Sequence, residues 1–499
     1  MQSRLLAREV GDLPSRDLSQ IVASQLLRSF EPAPQHRFNG DTRQLAGQQQ
    51  KQQQQQHDQQ AAQSLGLDPD ERPHRLRAHG AGVSSLALDK FDGRLLVSGG
   101  ADGSIKLWDL DSGCASPHRT HTFRPVGHIP RSTAGPRSGG HSHGVTHLAF
   151  YPFDADAFLS SSYDKTLKLW ATARAALSAE FDLNATVYSH ACSPIAAHLL
   201  VACATQHSNV RLVDLKSGSA VQALVAHGGP VLSTAWSPRH EHVLVSGHAD
   251  GRVRVWDVRR AGGVVAQLDQ EDSLGVVHRF RHATASGSDW GSMPHFRVSA
   301  QAHDDAVNGL QWTDDGRYIV SAGLDRRIRV WDADTGANTL ASFGAIVQNQ
   351  HAKTASFLVT PSGLSTGRQL LVWPNEQEIL LLDLHDGTVM SRLRSPGSTH
   401  STGVRGSEAG RNRITNIAWR SAGGGSGQVG PAMGGGNSIG AIYSGHLDGQ
   451  IRAWMPHVPG PEDADEDEEA GEDQQAKQRK RKAIENAYRS LMGKEVKFT

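Results

Sequence analysis

Leu244-Val-Ser-Gly-His-Ala-Asp-Gly-Arg-Val-Arg-Val-Trp-Asp257 is the stretch that fixes the reading of this chain. An apolar run enters Ser246, Asp250-Gly251 supplies a tight turn, and Val253 and Val255 alternate with Arg252 and Arg254, so the stretch reads as two paired strands. Its skeleton, Ser-x-x-x-Asp-x-x-x-x-x-Trp, occurs five times with unchanged spacing: Ser98/Asp102/Trp108, Ser160/Asp164/Trp170, Ser246/Asp250/Trp256, Ser321/Asp325/Trp331 and Ser444/Asp448/Trp454. Four copies carry a His 21 to 23 residues before the Asp, at His79, His143, His227 and His303. Spacings held constant along the chain mean that each copy builds the same small unit.

Outward from the hairpin, Val231-Leu-Ser-Thr-Ala-Trp236 is a further apolar run, set off by the turn residues Ser237-Pro238. The segment after a Trp-Asp position, such as Ala220-Val-Gln-Ala-Leu224 before His227, adds a fourth strand. Four strands at this period make a propeller blade. Two more units have the strands without the polar residues: Leu199–Cys203 with Asn209–Asp214 puts Val213 at the Trp position, and Gln369–Trp373 with Glu378–Asp383 puts Leu382 there. The expectation is an all-β, seven-bladed, WD40-type propeller over residues 74–458, anchored on its outer strands at 108, 170, 213, 256, 331, 382 and 454.

The conserved spacing has a hydrogen-bonding reason. A buried carboxylate costs several kcal/mol unless it is paired. A chain from Trp indole N–H to Ser hydroxyl to His imidazole to Asp carboxylate satisfies every member. These quartets are therefore expected to be scaffolding, because a catalytic group would be unique and these recur blade after blade.

The chain has 499 residues, 37% of them hydrophobic, and a formal net charge of zero, so no global field recruits nucleic acid. Cys114, Cys192 and Cys203 are too few for a disulfide framework, and no apolar run reaches membrane-spanning length, which predicts a soluble protein in a reducing compartment. Residues 1–43 read as a helical segment, with Leu18, Ile21, Val22 and Leu26 at helical spacing, and 44–73 as a Gln-rich disordered linker. Loop insertions are expected at 115–142, 270–300, 397–412 and 420–438. The tail, 459–499, is acidic and then basic, and Lys477, Arg479, Lys480, Arg481 and Lys482 form a candidate nuclear-import cluster beside the reading of a solvated tail.

No catalytic motif survives its context. Gly140-His-Ser-His-Gly144 matches a nucleophile elbow in letters, but a loop precedes it and a propeller strand follows. Gly425-Ser-Gly-Gln-Val-Gly430 has no helix to present to a phosphate, and His118, His121, His128 and His141 share no fixed spacing with a Cys or acidic ligand. The expectation is an interaction platform with no catalytic residue, cofactor or metal.

One blade differs at its exit. Trp256-Asp-Val-Arg259-Arg260 carries an Arg two positions after the Asp, where the others read Trp108-Asp-Leu-Asp111, Trp170-Ala-Thr-Ala173 and Trp331-Asp-Ala-Asp334. A planar guanidinium on the rim can hold a partner's carboxylate or carbonyls, or simply be solvated.

At this point the chain resembles a known family. Leu5-Leu-Ala-Arg8 with Gly11, Ser160-Ser-Ser-Tyr-Asp-Lys-Thr-Leu-Lys-Leu-Trp170, Thr186-Val-Tyr-Ser-His190, Asp214-Leu-Lys-Ser-Gly-Ser219, Trp236-Ser-Pro-Arg239, Trp256-Asp-Val-Arg-Arg-Ala261, Val307-Asn-Gly-Leu310 and Asn338-Thr-Leu340 are similar, in order, to the Cockayne syndrome group A family of WD-repeat factors. The resemblance implies a nuclear substrate receptor of a cullin-RING ubiquitin ligase in transcription-coupled nucleotide excision repair. It implies docking on damaged-DNA-binding protein 1 through Trp256, Asp257, Arg259, Arg260, Leu5, Leu6, Arg8 and Leu18, and work with the machinery at stalled RNA polymerase II, including the Cockayne syndrome group B protein. Neither nucleic acid nor membrane is an expected direct partner. Tyr163, Lys165 and Arg326, beside turn Asp residues, are candidates for the opposite, substrate-presenting face. The Gln tract, the insertions, the tail and Ala171 in place of Asp depart from the family pattern. The alternative is a nuclear scaffold in a chromatin or RNA-processing complex.

Overall fold

The computed structural model describes residues 26–41, 76–112, 120–132, 139–260, 264–273, 300–362, 364, 369–394, 413–420 and 440–456, with single positions 10, 14, 20 and 23. They build a seven-bladed β-propeller with very little helix. Blade one runs Val83–Leu88, Leu95–Gly100, Ile105–Asp109 and Pro125–Ile129, and blade two runs Val145–Phe150, Ala157–Ser162, Thr166–Ala171 and Ala176–Asp182. Blade three takes Val187–Cys192, Leu200–Thr205, Val210–Asp214 and Ser219–Leu224, and blade four takes Val231–Trp236, Val243–His248, Val253–Asp257 and Val264–Gln267. Blade five has Val307–Trp312, Tyr318–Gly323 and Ile328–Asp332, and a lone bridge from Trp331 to Asn338 marks its outer edge. Blade six is Leu358–Val359, Leu370–Pro374, Glu378–Asp383 and Val389–Arg394.

Blade seven is completed from the other end of the chain. Ile414–Arg420, Ala441–His446 and Ile451–Pro456 are joined by Phe30–Pro32, with Phe30 opposite Pro456 and Pro32 opposite Trp454. His36–Phe38 then pairs in parallel with His121–Phe123 on the flank of blade one. Residues 30–41, expected within a helical segment, thus carry two three-residue strands and no helix, and the ring begins there rather than at 74. The pairing closes blade seven and removes an exposed sheet edge. Gln20, Ala23 and 26–28 are helical, and Leu27 is buried between blades six and seven.

The seven anchor positions hold: Leu96 faces Trp108, Phe158 faces Trp170, Val201 faces Val213, Leu244 faces Trp256, Ile319 faces Trp331, Leu371 faces Leu382 and Ile442 faces Trp454. They lie on third strands, one in from the outermost except in blade five, where only the Trp331–Asn338 bridge lies beyond, so the expectation of an outer-strand anchor is corrected for the other six blades. The apolar core is a set of wedges, each between two neighbouring blades, that runs around the whole ring. Each fully buried Trp removes about 150–250 Å² from water, an upper estimate of roughly 4 to 6 kcal/mol.

Two insertion boundaries shift. Residues 121–132 and 139–142, expected as loop, carry strand and the ordered turn that holds His141. Arg420 ends a strand instead of opening an insertion. The Gln tract, 274–299, 395–412, 421–439 and the tail with Lys477–Lys482 lie outside the described residues. Among the described residues no helix is long and apolar enough to cross a membrane.

Candidate functional site

In blades one, two, four, five and seven the third strand runs from an Asp turn to its Trp, with Trp-Asp in blades one, four and five, so turns and exits lie on opposite faces of the ring. On the turn face the polar clasps take two forms. In blade five His303 Nε2 meets Ser321 Oγ at 2.7 Å, Trp331 Nε1 donates to the same oxygen at 2.8 Å, and His303 Nδ1 lies 3.0 Å from Asp325 Oδ1. Blade two has the same set with His141, 2.6 Å from Ser160 Oγ and 2.8 Å from Asp164 Oδ2, while Trp170 donates at 2.7 Å. In blade one the Ser104 hydroxyl relays the contact, 2.8 Å from His79 Nδ1 and 2.6 Å from Asp102 Oδ1, and His79 Nε2 is 2.7 Å from Ser98 Oγ. Burial alone would raise the pKa of Asp102, Asp164 and Asp325, but the imidazoles and turn hydrogen bonds outweigh it and hold all three well below the usual carboxylate range. Burial lowers the pKa of His79 and His303, so both are neutral at physiological pH.

Blades four and seven use another solution. His248 Nε2 is 2.8 Å from Ser246 Oγ and His446 Nε2 is 2.9 Å from Ser444 Oγ, each imidazole sitting on the same strand as its Ser. The turn carboxylates are held by Arg254 at 2.8 Å from Asp250 and Arg452 at 3.1 Å from Asp448. Two expected quartet members are therefore wrong. His143 is exposed and its imidazole meets Ser142 Oγ instead, because its neighbour His141 occupies the clasp. His227 is exposed too: its carbonyl accepts from Arg254 at 2.6 Å, and Gly228 turns the chain at φ +114 where a Cβ would strike Asp250. The signal that would have found this is a basic residue four positions after every turn Asp, at Lys106, Lys168, Arg254, Arg329 and Arg452, joined by Ser-x-His in the two copies with His248 and His446.

Tyr163, Lys165 and Arg326 are all exposed at turn-face hairpins. Lys165 and Arg326 hold φ of +71 and +61, where blades one, four and seven place Gly103, Gly251 and Gly449. A side chain in this region costs on the order of 1 kcal/mol or more. Those two cations stand out from the face at that cost.

On the exit face each Trp-Asp carboxylate caps the backbone two residues on, as in Asp109 to Asp111 N at 3.0 Å and Asp332 to Asp334 N at 2.9 Å. In blade four the capped residue is Arg259. Its backbone N lies 3.1 Å from Asp257 Oδ1, its Nε 3.0 Å from the same oxygen, and its Nη2 2.8 Å from Oδ2. The fork is thereby preset while 54% of the side chain stays exposed. Arg260 is exposed beside it, Trp256 is buried beneath, and the charge of Glu241 acts on Arg259 from the adjoining loop. Nearby, Arg239 pairs with Asp334 at 3.2 Å between blades four and five, and His198 stacks on His242 with centroids 5.9 Å apart. Leu5, Leu6, Arg8 and Leu18 lie outside the described residues.

Of the three cysteines, Cys114 lies outside the described residues; burial pushes the Cys192 thiol up to about 12 and Cys203 higher, so both stay protonated. His121 packs edge-on against Phe123 and His141 belongs to its clasp; among the described residues no cluster of three or more His, Cys, Asp or Glu is placed to hold a metal.

Comparison with known proteins agrees with this architecture. The WD domain, G-beta repeat, matches residues 71–109, 136–171, 218–257 and 296–332. The chain is 31% identical over 333 residues to the WD repeat-containing protein ATCSA-1 of Arabidopsis thaliana, covering 56% of this chain and 72% of that protein. It belongs to the WD40-repeat family. It is also 30% identical over 278 residues to the ribosome biogenesis protein YTM1 of Phaeosphaeria nodorum, 51% of this chain and 55% of that protein. With the radiation-sensitive protein 28 of Saccharomyces cerevisiae it shares 25% identity over 198 residues, 38% of each chain. The chain spans about half or less of the latter two relatives' length.

Proposed function

We propose that this propeller is the substrate-recognition subunit of a cullin-RING ubiquitin ligase, docking through damaged-DNA-binding protein 1 and acting in transcription-coupled nucleotide excision repair. The observation that carries the reading is Arg259, an exposed guanidinium preset by Asp257 on the exit face, in a chain 31% identical to ATCSA-1. Likeness to a protein named for radiation sensitivity supports the same reading. The exit face grips the adaptor, aided by the N-terminal segment, and the turn face with Tyr163, Lys165 and Arg326 receives substrate. Lys477–Lys482 direct the chain to the nucleus. The subunit itself performs no chemistry.

The test is co-purification from nuclear extract. Arg259→Glu reverses the charge presented to the adaptor and loses it, whereas Lys165→Glu on the opposite face keeps it. Retention of adaptor and cullin by Arg259→Glu, or their absence from the unaltered protein, overturns the reading. A second reading, a scaffold in ribosome assembly or other nuclear RNA processing, is favoured by the 30% identity to YTM1. It expects ribosome-assembly factors in that purification in place of ligase subunits.

A further inference from the structure

The inner strands of neighbouring blades pack side by side around the axis of the ring. Ahead of blade six, whose inner strand is only Leu358–Val359, the segment 349–356 enters this axial space. Asn308 Nδ2 donates to Asn349 Oδ1 at 3.0 Å and to the carbonyls of His351 and Lys353 at 3.0 and 2.9 Å, and Asn349 Nδ2 returns a bond to Asn308 Oδ1 at 2.8 Å. Thr354 Oγ1 reaches the carbonyls of Tyr188 and Leu232, on the inner strands of blades three and four, at 3.4 and 3.3 Å. Lys353 Nζ donates to the carbonyl of Ser84 on blade one. One short segment of blade six thus touches inner strands across the ring, and carries a cation into its middle.

The charges there are lopsided. An ammonium has three donors, and the carbonyl of Ser84 takes one; among the described residues Lys353 has no carboxylate partner. Arg413 lies two residues before Thr415, whose hydroxyl donates to the carbonyl of Val83 next to Ser84, and its charge acts on Lys353; among the described residues its guanidinium makes no hydrogen bond. His147 and His190, on the inner strands of blades two and three, face each other with centroids 4.7 Å apart, and His147 Nδ1 and His190 Nε2 are buried without partners. The carboxylate within reach, Glu376, acts on Arg413 and His351. Lys353 and Arg413 are both half-buried, and cations drawn even partly out of water without a counter-ion are destabilising, yet nothing in the clasps or wedges of the fold calls for them here.

We propose that the axial channel at the level of Lys353 is an oxyanion-binding site, in which one phosphate- or carboxylate-type group takes the unpaired hydrogens of Lys353 and the guanidinium of Arg413. Charge-assisted hydrogen bonds in a site walled by strands are stronger than the same bonds in water. The site does not depend on the ligase reading. It also has a pH signature: burial and Arg413 lower Lys353 to about 7, so anion binding tightens as pH falls through neutrality and Lys353 gains its proton. His147, lowered to about 4 by burial and by Lys353, and His190, held well below its usual value by burial and by His147, stay neutral in that range.

Isothermal titration of the full chain with inorganic phosphate, and separately with acetate, at pH 6 and pH 8 tests this. Saturable binding of either probe, weakened about tenfold or more in both Lys353→Met and Arg413→Gln, supports the site, since each substitution removes one charged partner; with acetate, which is ionised at both pH values, binding is tighter at pH 6. The probe that binds tells whether the natural group is a phosphate or a carboxylate. Unchanged circular dichroism and melting in Arg413→Gln guard against misfolding. No saturable binding, or binding that survives both substitutions, overturns the proposal.

Discussion

Blades four and five carry the same Ser-Asp-Trp skeleton and reach it by different routes. In blade five His303 arrives from the loop before the blade, and its imidazole ties that loop to the hairpin turn through Ser321 and Asp325. In blade four His248 rises from the strand itself, and the loop is tied by Arg254, which bridges the His227 carbonyl and Asp250. Both schemes give the indole N–H an acceptor at 2.7 to 2.8 Å and the carboxylate a cationic or N–H partner. The requirement that recurs is satisfaction of buried polar atoms, and the residue that meets it is free to change.

If that is right, the indole matters equally in both blades and the upstream His does not. Trp331→Ala and Trp256→Ala each empty a fully buried site, and each is expected to lose about 3–5 kcal/mol in urea unfolding. A clear difference between them would break the equivalence. One step smaller, His303→Ala removes the imidazole that joins Ser321 to Asp325 and is expected to cost about 2 kcal/mol, whereas exposed His227→Ala stays within about 0.5 kcal/mol. Equal losses at the two histidines would restore the single-scheme reading that the geometry rejects.

The comparison also sets a pH dependence. His79, His248 and His303 have folded pKa values below 6.5, so below that pH the unfolded chain binds protons that the folded chain refuses. Stability therefore falls as pH drops below about 6.5, followed by differential melting temperatures between pH 7.5 and 5. The clasp carboxylates act lower down: their folded pKa values are depressed, so their contribution is intact above the ordinary carboxylate range and is lost below it. In the His303→Ala protein the first slope should flatten. A comparably small effect on stability, within about 1 kcal/mol, is expected of Arg259→Glu, because the side chain is exposed and Asp257 keeps the backbone N–H of residue 259.

How far the residues alone could lead is clearest at particular positions. Val213 and Leu382 were legible as anchors because strand alternation puts one apolar residue in register whether or not it is Trp. His141 was not separable from His143, since two histidines stand two residues apart and only the path of the loop chooses between them. The outermost strands of blade seven and of the flank, Phe30–Pro32 and His36–Phe38, are three residues each and carry no pattern of their own. Arg259 was legible as an exit-face cation, but its bidentate hold on Asp257 was not.

The order of residues by itself determined a wheel of seven like hairpins with buried Trp or aliphatic anchors, because a hairpin's alternation and turn are local and repeat with the sequence. Only the tertiary structure decided which imidazole closes each clasp, that the N-terminal strand seals the last blade, and that Lys353 meets Ser84 on the axis. Those contacts join residues far apart in the chain, and their partners are chosen by the closing of the ring, which no local spacing records.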